Sequence, residues 1–117
     1  MAAVLQLKSA RRERILIIDD DPGLAEVILM LLTGEGYRVE HAATMRAGLA
    51  QVAATEFDLV ITDLKLPDGT GVEAIRPIKE IRRDLPVILM TSYSSVESAI
   101  GALRNGAPFK DWELPAA

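Results

Sequence analysis

The chain has 117 residues, half of them apolar and about a quarter charged, with a net charge of −4 and no cysteine. That is room for one domain with an ordinary core, and it excludes disulfides, thiolate metal sites and cysteine nucleophiles. The acidic balance argues against a nucleic-acid-binding domain, no apolar run approaches the ~20 residues that span a bilayer, and a cytoplasmic location is the expectation.

Residues 1–13 carry Lys8, Arg11 and Arg12 ahead of the first acid, Glu13. The basic charges follow the apolar part, which is the reverse of a signal peptide. A short leader, frayed or helical, is expected there, and the fold proper is expected over residues 14–117.

Ile15-Leu16-Ile17-Ile18 is a continuous apolar run ending abruptly in Asp19-Asp20-Asp21. A strand buried on both faces of a parallel sheet reads this way. Asp21-Pro22 opens a helix, with the acid able to cap and the proline suited to the first helical position. Leu24, Val27, Ile28, Leu31 and Leu32 then mark one apolar face, and Gly34 and Gly36 stop it. Tyr37 to His41 alternates as a strand nearer an edge. Thr44 begins a second helix, with Leu49, Val52 and Ala53 expected to face inward.

Phe57 to Asp63 is a third strand, again ending in an acid, followed by a loop from Leu64 to Gly71. Val72, Ile75, Ile78 and Ile81 mark a third helix. Pro77 inside it would cost about 3 kcal/mol in a straight interior, so a kink or a late start is expected. Val87 to Met90 is strand four, closing at Thr91. Ser94 or Ser95 can cap a fourth helix carrying Val96, Ala99, Ile100 and Leu103. Strands alternating with helices over short connections predict a doubly wound parallel α/β sheet.

In such sheets ligands bind beyond the carboxyl ends of the strands. Those ends carry Asp19, Asp20 and Asp21 after strand one, Asp63 after strand three, and Thr91 after strand four. Taken singly, the acidic triplet reads as a helix cap and Asp63 as a loop residue. Together they converge on one rim, where unpaired carboxylates repel unless a cation neutralises them. A hard divalent ion such as Mg²⁺ is the natural remedy. Asp63 is then placed to act as a carboxylate nucleophile forming an acyl phosphate, with Thr91 bonding a phosphoryl oxygen. The single histidine, His41, reads as a rim or surface residue. Glycine-rich phosphate loops and a hydrolase triad are missing.

The segments ILIIDDDPGL, FDLVITDLKLPDGTG and PVILMTSYSSVESAIGALRNGA closely resemble the receiver domain of bacterial two-component response regulators. The wording of the third is most similar to receivers of the nitrogen-regulation type of transcriptional activator. The resemblance implies a flavodoxin-like sheet of order 2-1-3-4-5. It also implies that Asp63 accepts a phosphoryl group from a sensor histidine kinase and that the switch passes to a downstream effector. Asp20, Asp63 and the backbone carbonyl of Lys65 would ligate Mg²⁺, with Asp19 acting largely through water. Thr91 would be the switch hydroxyl, and Lys65 and Tyr93 would tune acyl-phosphate lifetime.

The pattern departs at its end. Over Gly106 to Pro115 the fifth strand reads irregularly, helix five is missing, and Glu113 stands where the family places a phosphate-binding lysine. An incomplete receiver is therefore expected, either an altered fragment or a diverged domain. Its uncovered sheet face would favour a homodimer or a domain-swapped oligomer. Light scattering across a wide concentration range checks this, and a clean monomer would contradict it. The alternative function is a pseudo-receiver acting by protein binding without phosphorylation. A phosphohydrolase on the same fold is disfavoured because its D-x-D-x-T/V strand motif is not present: Asp19, Asp20 and Asp21 are contiguous and Pro22 breaks the pattern.

Overall fold

The computed structural model describes residues 13–90 together with the strand Trp112–Glu113. In chain order the elements are β1 (Arg14–Ile18), α1 (Pro22–Gly34), β2 (Arg38–Ala42), α2 (Met45–Ala54), β3 (Leu59–Asp63), β4 (Lys65–Leu66), β5 (Gly69–Thr70), α3 (Gly71–Ile81), β6 (Val87–Met90) and β7 (Trp112–Glu113). The main sheet runs β2-β1-β3-β6-β7, and every pairing in it is parallel. This is the flavodoxin-like order that the resemblance implies. The fifth position is held by two residues, Trp112 beside Ile88 and Glu113 beside Leu89. The expected fourth helix and the question of a fifth lie outside the described residues.

Side chains alternate across the sheet, so each apolar strand supplies two cores. Ile15, Ile17, Leu59, Ile61, Ile88 and Met90 pack with Ile28 and Leu32 of α1 on one face. Leu16, Ile18, Val60 and Val87 pack with Val52 of α2 and with Ala74 and Ile78 of α3 on the other. The strand runs lack polar alternation because both faces are covered, and Ile15 to Ile18 are fully buried.

The helix starts are made by side chains that accept the first free amides. The Asp21 carboxylate accepts from Gly23 and Leu24, and the Thr44 hydroxyl accepts from Ala47. At α3, Thr70 and Glu73 cap each other's backbone in a reciprocal box. Thr70→Ala is expected to cost about 1 kcal/mol, read as a lower melting temperature.

Three local expectations shift. Of the α3 stripe read from sequence, Ile78 is buried and Ile75 packs against the core, whereas Val72 is 54% exposed and Ile81 38%; Gly71 and Ala74 complete the buried face instead. Ala53 of α2 is exposed rather than inward. Helix α3 starts at Gly71, six residues before Pro77, so the late start is not taken. The carbonyl that loses its partner is that of Glu73, in the first turn.

The connection after β3 is more ordered than a plain loop. Lys65–Leu66 and Gly69–Thr70 pair antiparallel as a tight hairpin, with Leu66 buried in the α2/α3-side core.

Candidate functional site

The parallel register brings the ends of β1 and β3 side by side, Ile18 beside Thr62. The next residues, Asp19 and Asp63, therefore emerge together at the carboxyl rim. Asp19, Asp20 and Asp63 each offer a carboxylate oxygen, and these atoms lie within 4.8 Å of one another. The third acid of the triplet has a different task. Asp21 caps α1, so the cap reading of this run is right for Asp21 alone.

Asp19 is completely buried. One carboxylate oxygen, Oδ1, accepts the Asp21 amide at 2.9 Å, whereas Oδ2 is buried without a partner. Burial pushes the Asp19 carboxyl above its ordinary value, and the charges of Asp63, Asp21 and Asp20 push the same way against the Asp21 amide bond. Asp63 is half-buried and Asp20 exposed, so the cluster opens to solvent on one side. The donor set fits a hard divalent cation: all-oxygen, multiply charged, and with one buried oxygen lacking any hydrogen bond. Asp19, Asp20 and Asp63 are the side chains that would hold it.

The backbone around these acids is fastened from several directions. The Asp19 amide donates to Ala42 O at 2.9 Å and the Leu64 amide to Met90 O at 3.1 Å. His41 Nε2 lies 2.7 Å from the Asp19 carbonyl, which can only accept, so the ring donates there. Gln51 Nε2 in turn donates to the His41 carbonyl at 3.1 Å. His41, read from sequence as an incidental rim residue, is thus an anchor of the loop that carries the acids. That role is formed between residues 22 apart and had no local signal. Gly71 was also missed. A Cβ there would sit 2.3 Å from the Asp63 carbonyl oxygen, so only glycine lets α3 start so close to the phosphoacceptor candidate.

Asp68, read from sequence as one more loop residue, reaches across to α2. Its carboxylate accepts the Met45 amide at 2.8 Å and the Arg46 amide at 2.9 Å. Those amides, Arg46 first, hold its carboxyl below the ordinary range. The sign follows from linkage. A lowered folded-state value gives stability that is present above the ordinary 3.8 and is lost as pH falls through the lowered value. Acid melting curves of wild type and Asp68→Asn should converge at low pH, separate as pH rises through the lowered value, and stay apart above 3.8.

Lys65 is exposed at the first position of the hairpin. Thr91, Tyr93 and the side chain of Glu113 lie outside the described residues. The backbone of Glu113 is in register with Leu89, whose other neighbour is Thr62, next to Asp63.

The chain belongs to the response regulator receiver domain family, whose pattern matches residues 15–108, and a rim of strand-end carboxylates on a parallel sheet is in keeping with that class. Among relatives, it is 41% identical over 93 residues to the transcriptional regulatory protein ZraR of Escherichia coli K12, covering 80% of this chain and 21% of that protein. It is 33% identical over 96 residues to the response regulator protein PilR of Pseudomonas aeruginosa, covering 82% and 22%. The chain thus spans about a fifth of the length of these curated relatives. A CheY-like receiver domain protein from Methanospirillum hungatei superposes with a TM-score of 0.68 at 36% identity, over 91% of this chain and 84% of that one. The response regulator TrrA from Thermotoga maritima, solved in complex with Mg²⁺ and BeF, gives 0.69 at 29% identity, over 89% and 87%. No helix among the described residues is long and apolar enough to cross a membrane.

Proposed function

We propose that this chain is the phosphoaccepting module of a two-component signalling pathway, with Asp63 as the acceptor. The observation that carries the reading is the convergence of Asp19, Asp20 and Asp63 within 4.8 Å, with a buried Asp19 oxygen left unpaired. TrrA, a relative by fold and sequence, is known in a complex with Mg²⁺ and BeF, and Mg²⁺ is the ion this donor set suits. Asp20, Asp63 and the Lys65 carbonyl would ligate it, Asp19 acting largely through water. When bound, the ion supplies positive charge that offsets the charge on the transferring phosphoryl group.

In the reaction, an Asp63 carboxylate oxygen attacks the phosphorus of a kinase phosphohistidine. One O–P bond forms, the P–N bond breaks, and the imidazole leaves with its electron pair and takes up a proton. The product is an acyl phosphate on Asp63. The fastened backbone of Asp19 and Asp63 holds the geometry so that little reorganisation accompanies transfer. Thr91 would turn its hydroxyl toward the new phosphoryl oxygens, with Lys65 and Tyr93 setting how readily water reaches them. The population shift would alter a protein interface. A transferring domain, not a turnover enzyme, is the result.

The partners follow from this reading: a sensor histidine kinase upstream and an effector downstream. The relatives named as transcriptional regulators point to control of transcription as the output. DNA contact would fall to the effector, since this chain is acidic. A cytoplasmic location goes with such a kinase-facing role. The pseudo-receiver alternative draws no support from the acid cluster, which a purely protein-binding module does not need.

Incubation with acetyl phosphate and Mg²⁺, followed by intact-mass measurement, tests the reading. Wild type should gain one acid-stable, base-labile phosphoryl group, and Asp63→Asn should gain none. A folded wild type without the adduct would favour the pseudo-receiver, and turnover of many phosphate esters per chain would favour a hydrolase.

A further inference from the structure

The hairpin after Asp63 is held at each of its corners. Leu66 is buried in the core, and Thr70 caps α3. The Gly71 amide bonds back to Leu64 O at 2.8 Å, and Gly69 lies so close to the Met45 side chain that a Cβ would come within 2.7 Å of Met45 Cε. At the tip, Asp68 spans 23 positions to accept the Met45 amide and 22 to accept that of Arg46.

Helix α2 has a local cap as well. Thr44 accepts the Ala47 amide at 3.0 Å, and the Gly48 amide makes the first intrahelical bond to the Thr44 carbonyl. The leading amides of this helix are therefore satisfied by two devices, one local and one remote. A helix N-terminus ordinarily makes do with its own cap residue and water. A remote carboxylate at the first two amides also ties the hairpin to α2, and a charge-assisted pair of bonds is a strong tie.

We propose that Asp68 is a positioning residue for the phosphoacceptor site, gripping the start of α2 so that the hairpin carrying Lys65 is held at a fixed height beside Asp63. It does not touch the reacting atoms. This rests on the reading of Asp63 as phosphoacceptor and of the Lys65 carbonyl as a Mg²⁺ ligand. Outer partners that orient metal ligands typically change affinity by about 10–100-fold when removed.

The test compares wild type, Asp68→Ala, Asp68→Asn and Thr44→Ala. Three readouts are used: Mg²⁺ affinity by calorimetry, hydrogen exchange of the Lys65–Thr70 amides, and the rate of adduct formation with acetyl phosphate. Asp68→Ala should weaken Mg²⁺ binding by about tenfold, speed exchange in the hairpin and slow the adduct. Asp68→Asn, which keeps one acceptor, should fall between it and wild type; it also serves if the alanine variant fails to fold. Thr44→Ala weakens the same helix end locally and should leave Mg²⁺ affinity within about twofold, far from the outer-partner range. Unchanged affinity in both Asp68 variants overturns the proposal, as does an equal loss in Thr44→Ala, which would reduce Asp68 to a helix cap. A wild type that binds no Mg²⁺ and takes no phosphoryl group would overturn the function itself, which separates the two failures.

Discussion

Replacing Gly71 by alanine is expected to destabilise this domain more than other single-methyl changes at the rim. The added Cβ would lie 2.3 Å from the Asp63 carbonyl oxygen, 3.2 Å from its carbon and 3.0 Å from Leu89 Cδ2. A leucine methyl can move; a backbone carbonyl at the end of β3, in register with Met90, has far less freedom. Either α3 retreats, breaking the 2.8 Å bond from the Gly71 amide to Leu64 O, or the end of β3 is pushed away from Asp19. Overpacking of this kind costs about 1–3 kcal/mol, and its upper end corresponds to a fall in melting temperature of about 10 °C or more for a domain of this size. The same displacement moves Asp63, so the acetyl phosphate adduct should form more slowly even where the protein is fully folded. An alanine variant with wild-type melting and wild-type adduct formation would show that the contact is not as tight as described.

The second large effect concerns charge. Three carboxylates are gathered within 4.8 Å, and the innermost has an oxygen with no hydrogen bond. In the metal-free protein this arrangement opposes folding, because burial and like charge both act against ionised Asp19. Saturating Mg²⁺ should therefore stabilise wild type strongly, by about 2.7 kcal/mol at a hundredfold excess over its dissociation constant. Asp63→Asn removes one charge from the cluster. It should melt at a higher temperature than wild type in a chelator and respond less to Mg²⁺. Melting curves with Mg²⁺ or with chelator, on both proteins, give the answer. A wild type indifferent to the ion would remove the physical reason for the cluster.

Much of the architecture could be read directly from residues. Ile15 to Ile18 and Leu59 to Ile61 are apolar without alternation because both sheet faces are covered, and that pattern is local. Their terminal acids stood out for the same reason, since Asp19 and Asp63 follow apolar runs and belong to no core stripe. The division of labour inside the triplet did not show, because capping by Asp21 and clustering by Asp19 and Asp20 depend on where the chain turns. On α3, Val72 and Ile81 fit a helical period with Ile75 and Ile78 as well as Gly71 and Ala74 do. The contact face was chosen by the close approach of Gly71 to Asp63, which favours small residues and carries no hydrophobic signal. His41 and Asp68 were opaque for a related reason: each acts on a partner 22 or more positions away. The roles proposed for Thr91 and Tyr93 rest on the resemblance to receivers, because spacing alone leaves them open.

The central claim is that the rim makes Asp63 a Mg²⁺-dependent phosphoacceptor. Peptide mapping of the acetyl phosphate product, with Mg²⁺ and with chelator, tests it most directly. One phosphoryl group per chain is expected, confined to the peptide bearing Asp63 and lost in chelator. A label on another residue, equal labelling without the ion, or a folded chain that takes no label would contradict it.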